Sequence, residues 1–188
     1  PATGKALTVK GYEDVYDGAS HTVEIGTLLD DDVVYYSLTG GAEATDWSTT
    51  PIKYTDVTAA QRVYVKVTNP NYVERTGSNT VTITAKPVSV TAENKEKVFG
   101  TADPGLTYTK GAGVGEEVVT LTGALARTAG ESVGTYGINQ NTLALADNAA
   151  SGFKASNYVI AFTSGTLRIT PATGKALTVK GYEDVYDG

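Results

Sequence analysis

The stretch Arg62-Val63-Tyr64-Val65-Lys66-Val67 carries the clearest structural signal in this sequence of 188 residues. Its valines lie on one side of an extended chain and its longer polar side chains lie on the other, which is the two-residue period of a half-buried β-strand. The sequence around it is rich in Val, Thr and Tyr, with 12 tyrosines, and these residues fit a pleated surface. The pattern therefore predicts an all-β fold with little or no helix.

Shorter runs of the same kind predict further strands on both sides of this stretch. In the first half they span residues 6–10, 21–25, 33–38, 52–54, 62–68 and 80–84. In the second half they span residues 88–92, 97–99, 106–109, 118–127, 134–139, 158–163 and 166–170. Six or seven short strands separated by turns favour a small immunoglobulin-like (Ig-like) β-sandwich.

One segment of the second half favours a helical turn instead. Residues 115–119 contain the paired glutamates Glu116 and Glu117, and acidic side chains suit a helix N-terminus. For the second half, a sandwich and a compact β-grasp-like domain with a vestigial helix therefore both remain open.

An exact internal repeat defines the organisation of the chain. Residues 1–18 read PATGKALTVKGYEDVYDG, and residues 171–188 read the same, so the period is 170 residues (171 − 1). Self-similarity at a fixed period is the signature of a repeat protein. The sequence also begins at Pro1 without a methionine, so we expect it to be a segment of a longer tandem array. Residues 171–188 are then the first strand of the next repeat.

A weaker repeat lies inside the period. Asn71-Tyr72-Val73 precedes Ile83 by the same spacing with which Asn157-Tyr158-Val159 precedes Ile169. Each half therefore ends with the same motif, an Asn-Tyr-Val sequence followed at a fixed spacing by the last strand. We predict two related domains, residues 1–86 and 87–170, and a third that begins at residue 171.

The predicted joints between these domains are short. Pro87 follows the predicted strand 80–84 after two residues, and Pro171 directly follows the predicted strand 166–170. Proline restricts its own backbone and that of the residue before it. Flexible linkers are instead rich in Gly and Ser. We therefore expect semi-rigid joints and an elongated rod.

Composition excludes several classes of function. The chain has no Cys and a single His, which rules out disulfides and thiolate or multi-histidine metal sites. Its net charge of −6 argues against nucleic acid as a partner. No apolar run approaches the ~20 residues that cross a bilayer. We predict no enzymatic activity, no cofactor, no catalytic residue and no membrane insertion of this segment.

Acidic residues form one candidate calcium site. Asp30, Asp31 and Asp32 follow one another, with Glu13, Asp14 and Asp17 nearby in the sequence and repeated as Glu183, Asp184 and Asp187. Calcium takes about six to eight oxygen ligands. The EF-hand spacing is absent, however, so the preferred interpretation of the three aspartates is a solvated turn.

Aromatic residues form further candidates. Asn71-Tyr72 and Asn157-Tyr158 have the composition of a glycan platform, but their identical placement before the last strand favours a structural tyrosine-corner role. Trp47, the single tryptophan, is interpreted as a packing residue, with a partner-binding anchor as the alternative.

Two further hypotheses concern lysines and glycines. An intramolecular isopeptide bond from Lys10 or Lys66 to an asparagine, assisted by a buried acid, would stabilise a rod without disulfides. The glycine-rich residues 111–115 lack the Lys-Ser/Thr of a phosphate-binding loop. They are predicted to form a flexible loop.

The first half resembles the bacterial YDG domain. The resemblance is carried by Val15-Tyr16-Asp17-Gly18, Tyr36-Ser37-Leu38 and Asn69-Pro70-Asn71-Tyr72.

The second half resembles the MBG domain, and this match is the more specific. The motif residues are Phe99-Gly100, Asp103-Pro104, Leu106-Thr107-Tyr108, the segment 121–127, Gly130-Glu131, the segment 133–138 and Asn157-Tyr158. Phe99-Gly100 stands where the family more usually has Tyr-Gly. The two resemblances together cover nearly the whole chain.

The resemblance implies a role and a location. Such domains occur in tandem in large secreted or surface-attached bacterial proteins, often adhesin-like, so an extracellular or cell-surface location is expected. The leading interpretation is a structural stalk or fibre segment whose partners are neighbouring repeats. The alternatives are a module that binds host glycans or proteins, and a self-assembling fibre subunit in which residues 6–10 or 176–180 complete the sheet of an identical chain.

Overall fold

A computed structural model describes residues 2–174, 177–179 and 186 and confirms the all-β prediction. The first half contributes β1 (Thr8–Lys10), β2 (Tyr12–Val15), β3 (Glu24–Gly26), β4 (Val33–Ser37), β5 (Thr58–Asn69) and β6 (Tyr72–Thr84). The second half contributes β7 (Lys86–Ala92), β8 (Lys95–Val98), β9 (Tyr108–Lys110), β10 (Leu121–Thr122), β11 (Ala126–Arg127), β12 (Gly134–Asn139), β13 (Ala144–Leu145), β14 (Tyr158–Thr163) and β15 (Gly165–Thr170). The sole helical element of the described residues is a 3₁₀ turn, Ala155–Asn157.

The first half is built on a four-stranded sheet with the order β2-β6-β5-β4. Its central strands β5 and β6 form a long antiparallel pair, β2 runs parallel to β6, and β1 pairs with β3 beside the sheet. The alternating stretch lies on β5, where Val63, Val65 and Val67 are fully buried. Arg62 is exposed on the other face, so the period read from the sequence matches the burial of this strand.

The second half has two main sheets, with the orders β11-β12-β15-β8 and β14-β7-β9, and a short β10-β13 pair. Two of its pairings are parallel, β7 with β14 and β8 with β15. No sheet of the described residues combines strands from the two halves. The domain boundaries at residues 86 and 170 remain a prediction.

Each half is traversed from end to end by one 13-residue segment, which we call the spine. In the first half the spine is the continuous strand β6, and in the second half it is β14 followed by β15, which changes sheet at Ser164. At about 3.3 Å per residue a spine spans about 40 Å. The chain reaches the first spine beside Ala2, which bridges to Tyr72, and leaves it at Thr84. The two ends of this half therefore lie far apart.

The two spines end in the same way. The Tyr16 amide donates a 2.8 Å hydrogen bond to the Thr84 carbonyl, and the Phe99 amide donates one of the same length to the Thr170 carbonyl. Tyr16 follows β2, which is parallel to the first spine, and Phe99 follows β8, which is parallel to the second. Tyr16 and Phe99 are therefore equivalent positions of the two halves.

Three predicted elements differ from the observed ones. The helical turn at residues 115–119 is wrong, because Gly115 has φ +56° and the Glu117 amide closes a tight turn onto the Val114 carbonyl at 3.0 Å. The strand at 118–127 is divided into β10 and β11 around Gly123, whose φ is +85°. At 52–54 the backbone forms an isolated bridge, Tyr54 to His21, instead of a strand. Without an α-helix in the described residues, the second half agrees with a sandwich better than with a β-grasp.

The second copy of the repeated sequence is described in part. Residues 177–179 carry no regular secondary structure, and Leu177 and Val179 are exposed. The rest of the predicted strand 176–180, and Glu183, Asp184 and Asp187, lie outside the described residues.

Candidate functional site

Aromatic, polar and apolar side chains of the two halves meet at a joint between them. Its residues lie beside the C-terminal end of the first spine and around the N-terminal end of the second. We define the joint as Tyr16, Gly18, Asp56 and Val57 of the first half with Val114, Glu117, Phe153, Lys154, Asn157 and Tyr158 of the second half.

An aromatic cluster forms the centre of the joint. The Tyr16 ring is 4% exposed and meets the ring of Tyr158 edge-on, with 5.5 Å between centroids. Phe153 also stacks on Tyr158, with 4.8 Å between ring centroids. Edge-to-face and offset pairs of this kind add about 0.5–1.5 kcal/mol each beyond their buried area. The cluster therefore fixes the first half against the second through side chains that are distant in sequence.

A single carboxylate receives both tyrosine hydroxyls. The Tyr16 hydroxyl donates to Glu117 Oε1 at 2.6 Å, and the Tyr158 hydroxyl donates to Glu117 Oε2 while it accepts the amide of Val114 at 2.8 Å. Burial and the neighbouring Glu117 raise the pKa of Tyr16 to about 12, and they raise the pKa of Tyr158 as well. Both hydroxyls therefore remain protonated donors at neutral pH.

A second polar contact lies beside the aromatic cluster. The Val57 amide donates to Asn157 Oδ1 at 2.9 Å, and Asn157 Nδ2 donates to Asp56 Oδ1 at 2.9 Å. Lys154 Nζ donates to Asp56 Oδ2 at 2.5 Å, and these two bonds lower the pKa of Asp56. Asn157 is 1% exposed. Its amide group is thus used entirely for linking the two halves.

The apolar core continues through the joint. One cluster of buried side chains contains Tyr16, Val23, Val63, Val65, Val67, Val81 and Ile83 from the first half with Val88, Val119, Phe153 and Tyr158 from the second. Burial of apolar surface contributes about 25 cal/mol per Å². A hinge motion at the joint would expose this shared surface to water, so the arrangement resists bending.

Gly18 allows the close approach of the two halves. Its φ is +78°, and a Cβ atom at this position would lie 2.9 Å from Cγ1 of Val114. Val114 lies in the glycine-rich segment 111–115, which the sequence predicts to be a flexible loop. In the structure Val114 is part of the joint, because its amide binds Tyr158 and its side chain packs on Gly18.

The structure brings together some of the predicted motif residues and separates others. Tyr16 meets Tyr158 in the joint, to which Gly18 and Asn157 also belong, whereas Asp17 binds the Ala19 amide and His21 beside it. Asn71 and Tyr72 lie at the opposite end of the first half, where Tyr72 is half-buried. Phe99 and Gly100 are exposed at the far end of the second half. The two Asn-Tyr pairs thus have different surroundings in spite of their identical spacing.

Of the three candidate calcium ligands, Asp32 is committed to partners within the protein. Both Asp32 carboxylate oxygens are engaged, one by the Asn69 amide and the other by Arg75 and the Leu29 amide. Asp31 occupies a turn with φ +66°. In residues 2–174, 177–179 and 186 there is no group of three or more acidic, His or Cys side chains that could hold a metal ion.

An ion-pair network organises the MBG motif residues of the second half. Lys97, whose side chain is 3% exposed, donates to Asp103 and Glu131 at 2.6 Å each, and Arg127 binds the same two carboxylates. Hydrogen bonds from Arg127 and Lys97 lower the pKa of Asp103 to about 2. The network ties the Asp-Pro and Gly-Glu motifs to β8 and β11.

The lysines of the isopeptide hypothesis lie at the surface. Lys10 pairs with Glu24 at 3.6 Å, and both side chains are largely exposed. The Lys66 ammonium lies 4.5 Å above the ring of Trp47. Trp47 is half-buried and borders a surface cavity of about 580 Å³, which Tyr64 and Glu74 also line.

Several joint residues carry no signal in the sequence. Asp56, Val57 and Lys154 belong to no sequence motif, and the sequence pattern around Glu117 predicts the start of a helix instead. The one available clue is that Tyr16 lies in the turn segment after the predicted strand 6–10, and that Asn157-Tyr158 stands at the start of the predicted strand 158–163. Nothing in local periodicity indicates which carboxylate they would share.

Comparisons with known proteins bear on the second half of the chain. Residues 88–168 match the family described as MBG domain (YGX type), which supports the MBG resemblance of the second half. The YDG resemblance of residues 1–86 remains a prediction. A search of curated proteins gave no match.

Among solved structures, 7 chains match this one. One is described as the crystal structure of Down Syndrome Cell Adhesion Molecule (DSCAM) isoform 1.30.30, N-terminal eight Ig domains. The identity is 11%, the TM-score is 0.26, and the alignment covers 92% of this chain and 27% of that chain. A likeness at this TM-score carries no argument about fold or function. In the part of the chain that the structure describes, no helix has the length and apolar character needed to cross a membrane.

Proposed function

We propose that this chain is a structural repeat segment of a secreted or surface-attached bacterial protein, in which it serves as part of a stalk or fibre. The single observation that carries the proposal is the joint, in which Tyr16 of the first half is buried against Glu117 and Tyr158 of the second. MBG domains occur in surface-associated bacterial proteins, and the described residues contain no cluster of metal-ligating side chains.

The path of the chain supports the same role. The first half is traversed along β6 from the Ala2–Tyr72 bridge to Thr84, and the second along β14 and β15 from the joint to Thr170. Each half therefore passes the chain from one end to the other, and a joint that resists bending maintains that direction. In repeat proteins of this kind, stability is close to a sum of unit terms and neighbour-interface terms.

Small-angle scattering of the 188-residue chain tests the proposal. A compact chain of this length has a radius of gyration of about 16 Å. A segment of a rod should give a clearly larger value and a pair-distance distribution with a long tail. The Tyr16→Ala variant is the comparison, because it should loosen the joint and broaden that distribution. A radius of gyration at the compact value would contradict the stalk role.

A second candidate function is the binding of a host glycan or protein, and the surface cavity beside Trp47 favours it. Aromatic rings next to polar groups, here Trp47 and Tyr64 with Glu74, suit sugar rings with many hydroxyls. A glycan array probed with the intact chain and with Trp47→Ala tests this role. Saturable binding that the substitution abolishes would support it, and an array without hits would contradict glycan recognition.

A further inference from the structure

Phe99 occupies the position in the second half that Tyr16 occupies in the first, but its surroundings are different. Both residues follow a strand parallel to the spine, and both donate an amide hydrogen bond of 2.8 Å to the last residue of that spine. Tyr16 is 4% exposed because the second half covers it, whereas Phe99 is 50% exposed. The first position is a completed joint, and the second is an equivalent surface that the described residues leave half-exposed.

The apolar surface around Phe99 extends to both sides of the chain's path. Val98 pairs with Thr170 in the parallel β8–β15 ladder, and Val133 directly precedes Gly134, which pairs with Ile169. Val98 is 44% exposed and Val133 is 54% exposed. We call Val98, Phe99 and Val133 the trailing surface. It surrounds the point at which the chain leaves the second half.

A second apolar surface lies at the other end of the first half. Val73 is 51% exposed and binds Ala2 through its amide, where the chain joins this half. Val33, which is 43% exposed, begins β4 opposite Thr68. Leu28, which is 47% exposed, lies in the loop before β4. We call Leu28, Val33 and Val73 the leading surface. The leading surface lies at the N-terminal end of the first spine. In the second half, Asn157 and Tyr158 lie at the N-terminal end of the second spine, where Tyr16 packs in the joint.

We propose that the trailing surface docks onto the leading surface of a following copy of the first half, and so forms a second joint. The occupant is indicated by the sequence after Thr170, because residues 171–188 repeat residues 1–18 and the chain leaves the second half beside Phe99. The inference rests on the proposed role as a tandem stalk segment.

The chemistry of the second joint differs from that of the first. Phe99 has no hydroxyl, so it needs no acceptor equivalent to Glu117, and the exposed side chains of the leading surface are aliphatic. Of the three aspartates in the loop before Val33, Asp32 is bound by Arg75, and Asp30 and Asp31 are exposed to solvent. The second joint is therefore held by apolar burial, and the two kinds of joint alternate along the array.

The test uses a two-period chain in which residues 1–170 are followed by the complete sequence 1–188. The junction is then the natural one over 18 residues, since 171–188 is identical to 1–18. The chain is labelled with 3-fluorophenylalanine, and a soluble gadolinium chelate reports the exposure of each ring by ¹⁹F relaxation at low protein concentration. Each period contains 3 phenylalanines, and Phe99→Leu in either period assigns its signal.

The proposal predicts that Phe99 of the first period is protected and Phe99 of the second is not. The relaxation enhancement of the first should fall severalfold, toward that of Phe153, which is 1% exposed and serves as the buried reference. Val33→Asp in the second period should restore the exposed value. Leu38→Asp, at a site that is 53% exposed and away from the leading surface, should leave the protection intact.

Scattering from the same two-period chain separates the two possible failures. Equal, high relaxation for both Phe99 rings in an elongated chain would overturn the second joint and leave the stalk role standing. A compact two-period chain would overturn the stalk role itself. Protection that Leu38→Asp removes as readily as Val33→Asp would overturn the assignment of the leading surface.

Discussion

Tyr16 and Tyr186 occupy the same position in two identical 18-residue sequences, yet Tyr16 is 4% exposed and Tyr186 is 93% exposed. Tyr16 is covered by Val114, Glu117 and Tyr158 of the half that follows it. This difference reflects the burial of Tyr16 by residues of the half that follows it. It also provides a matched pair of sites for measuring what the joint contributes.

Tyr16→Ala should destabilise the protein strongly, because it removes a buried ring and the hydrogen bond to Glu117. Loss of a large buried aromatic side chain costs about 3–5 kcal/mol. Urea unfolding should show this loss, together with a broader transition as the two halves unfold less cooperatively. Tyr186→Ala is the control and should change the free energy of unfolding by no more than about 0.5 kcal/mol. Equal effects at the two positions would contradict the joint.

Glu117→Gln tests the shared carboxylate. A glutamine side chain keeps one acceptor oxygen, so one of the two tyrosine hydroxyls loses its partner in a half-buried site. An unsatisfied polar group of this kind costs about 1–3 kcal/mol. Glu116→Gln, at the neighbouring exposed position, should have almost no effect in the same unfolding experiment. If both variants unfold like the unaltered chain, the hydroxyls do not depend on Glu117.

Alkaline pH should weaken the joint through Tyr16. Burial and Glu117 raise the pKa of its hydroxyl to about 12, above the value near 10 of an exposed tyrosine. The folded state therefore holds this proton more tightly, so its stabilising contribution is complete below pH 10 and is lost as the pH rises toward 12. The stability difference between the unaltered chain and Tyr16→Phe should narrow over this range. A constant difference from pH 8 to 11.5 would contradict the expectation.

Acid should weaken the ion-pair network of the second half. Arg127 and Lys97 hold the pKa of Asp103 at about 2, below its usual value of 3.8. Since the folded-state pKa is depressed, the contribution of the carboxylate is present above pH 3.8 and disappears as the pH falls toward 2. Asp103→Asn should be less stable than the unaltered chain at pH 5 and similar to it near pH 2. Asp30→Asn, in an exposed turn, is the control and should have the same free energy of unfolding as the unaltered chain at pH 5 and near pH 2.

Gly18→Ala should disturb the contact between the halves more than a matched substitution elsewhere. Both Gly18 and Gly41 have positive φ, +78° and +83°, but a Cβ atom would meet Val114 at Gly18 and open space at Gly41. Backbone strain alone costs about 1–2 kcal/mol, and overpacking adds about 1–3 kcal/mol. The midpoint temperature of thermal unfolding should therefore be clearly lower for Gly18→Ala than for Gly41→Ala. A lower midpoint for Gly41→Ala would contradict the expected overpacking of the new methyl group against Val114.

Local patterns predict the well-formed strands and miss the others for identifiable reasons. The predicted ranges 134–139 and 158–163 coincide with β12 and β14, because both have side chains that alternate between core and solvent. β2 has no such pattern. It is an edge strand with exposed Glu13 and Asp14, and it is held by backbone pairing to β6. The paired glutamates at 116–117 indicate a helix start, but the positive φ of Gly115 closes a turn there instead.

The amino-acid sequence by itself determines the all-β fold, the 170-residue period and the MBG motif of the second half. These depend on side-chain alternation and on self-similarity, both of which can be read along the chain. Only the tertiary structure decides that Tyr16 meets Glu117 and Tyr158, and that Phe99 remains exposed at the equivalent place. The reason is that burial depends on which residues folding brings together across about 100 positions of sequence. Tyr16 and Tyr186 therefore differ in exposure although their local sequences are identical, since the following half packs against Tyr16.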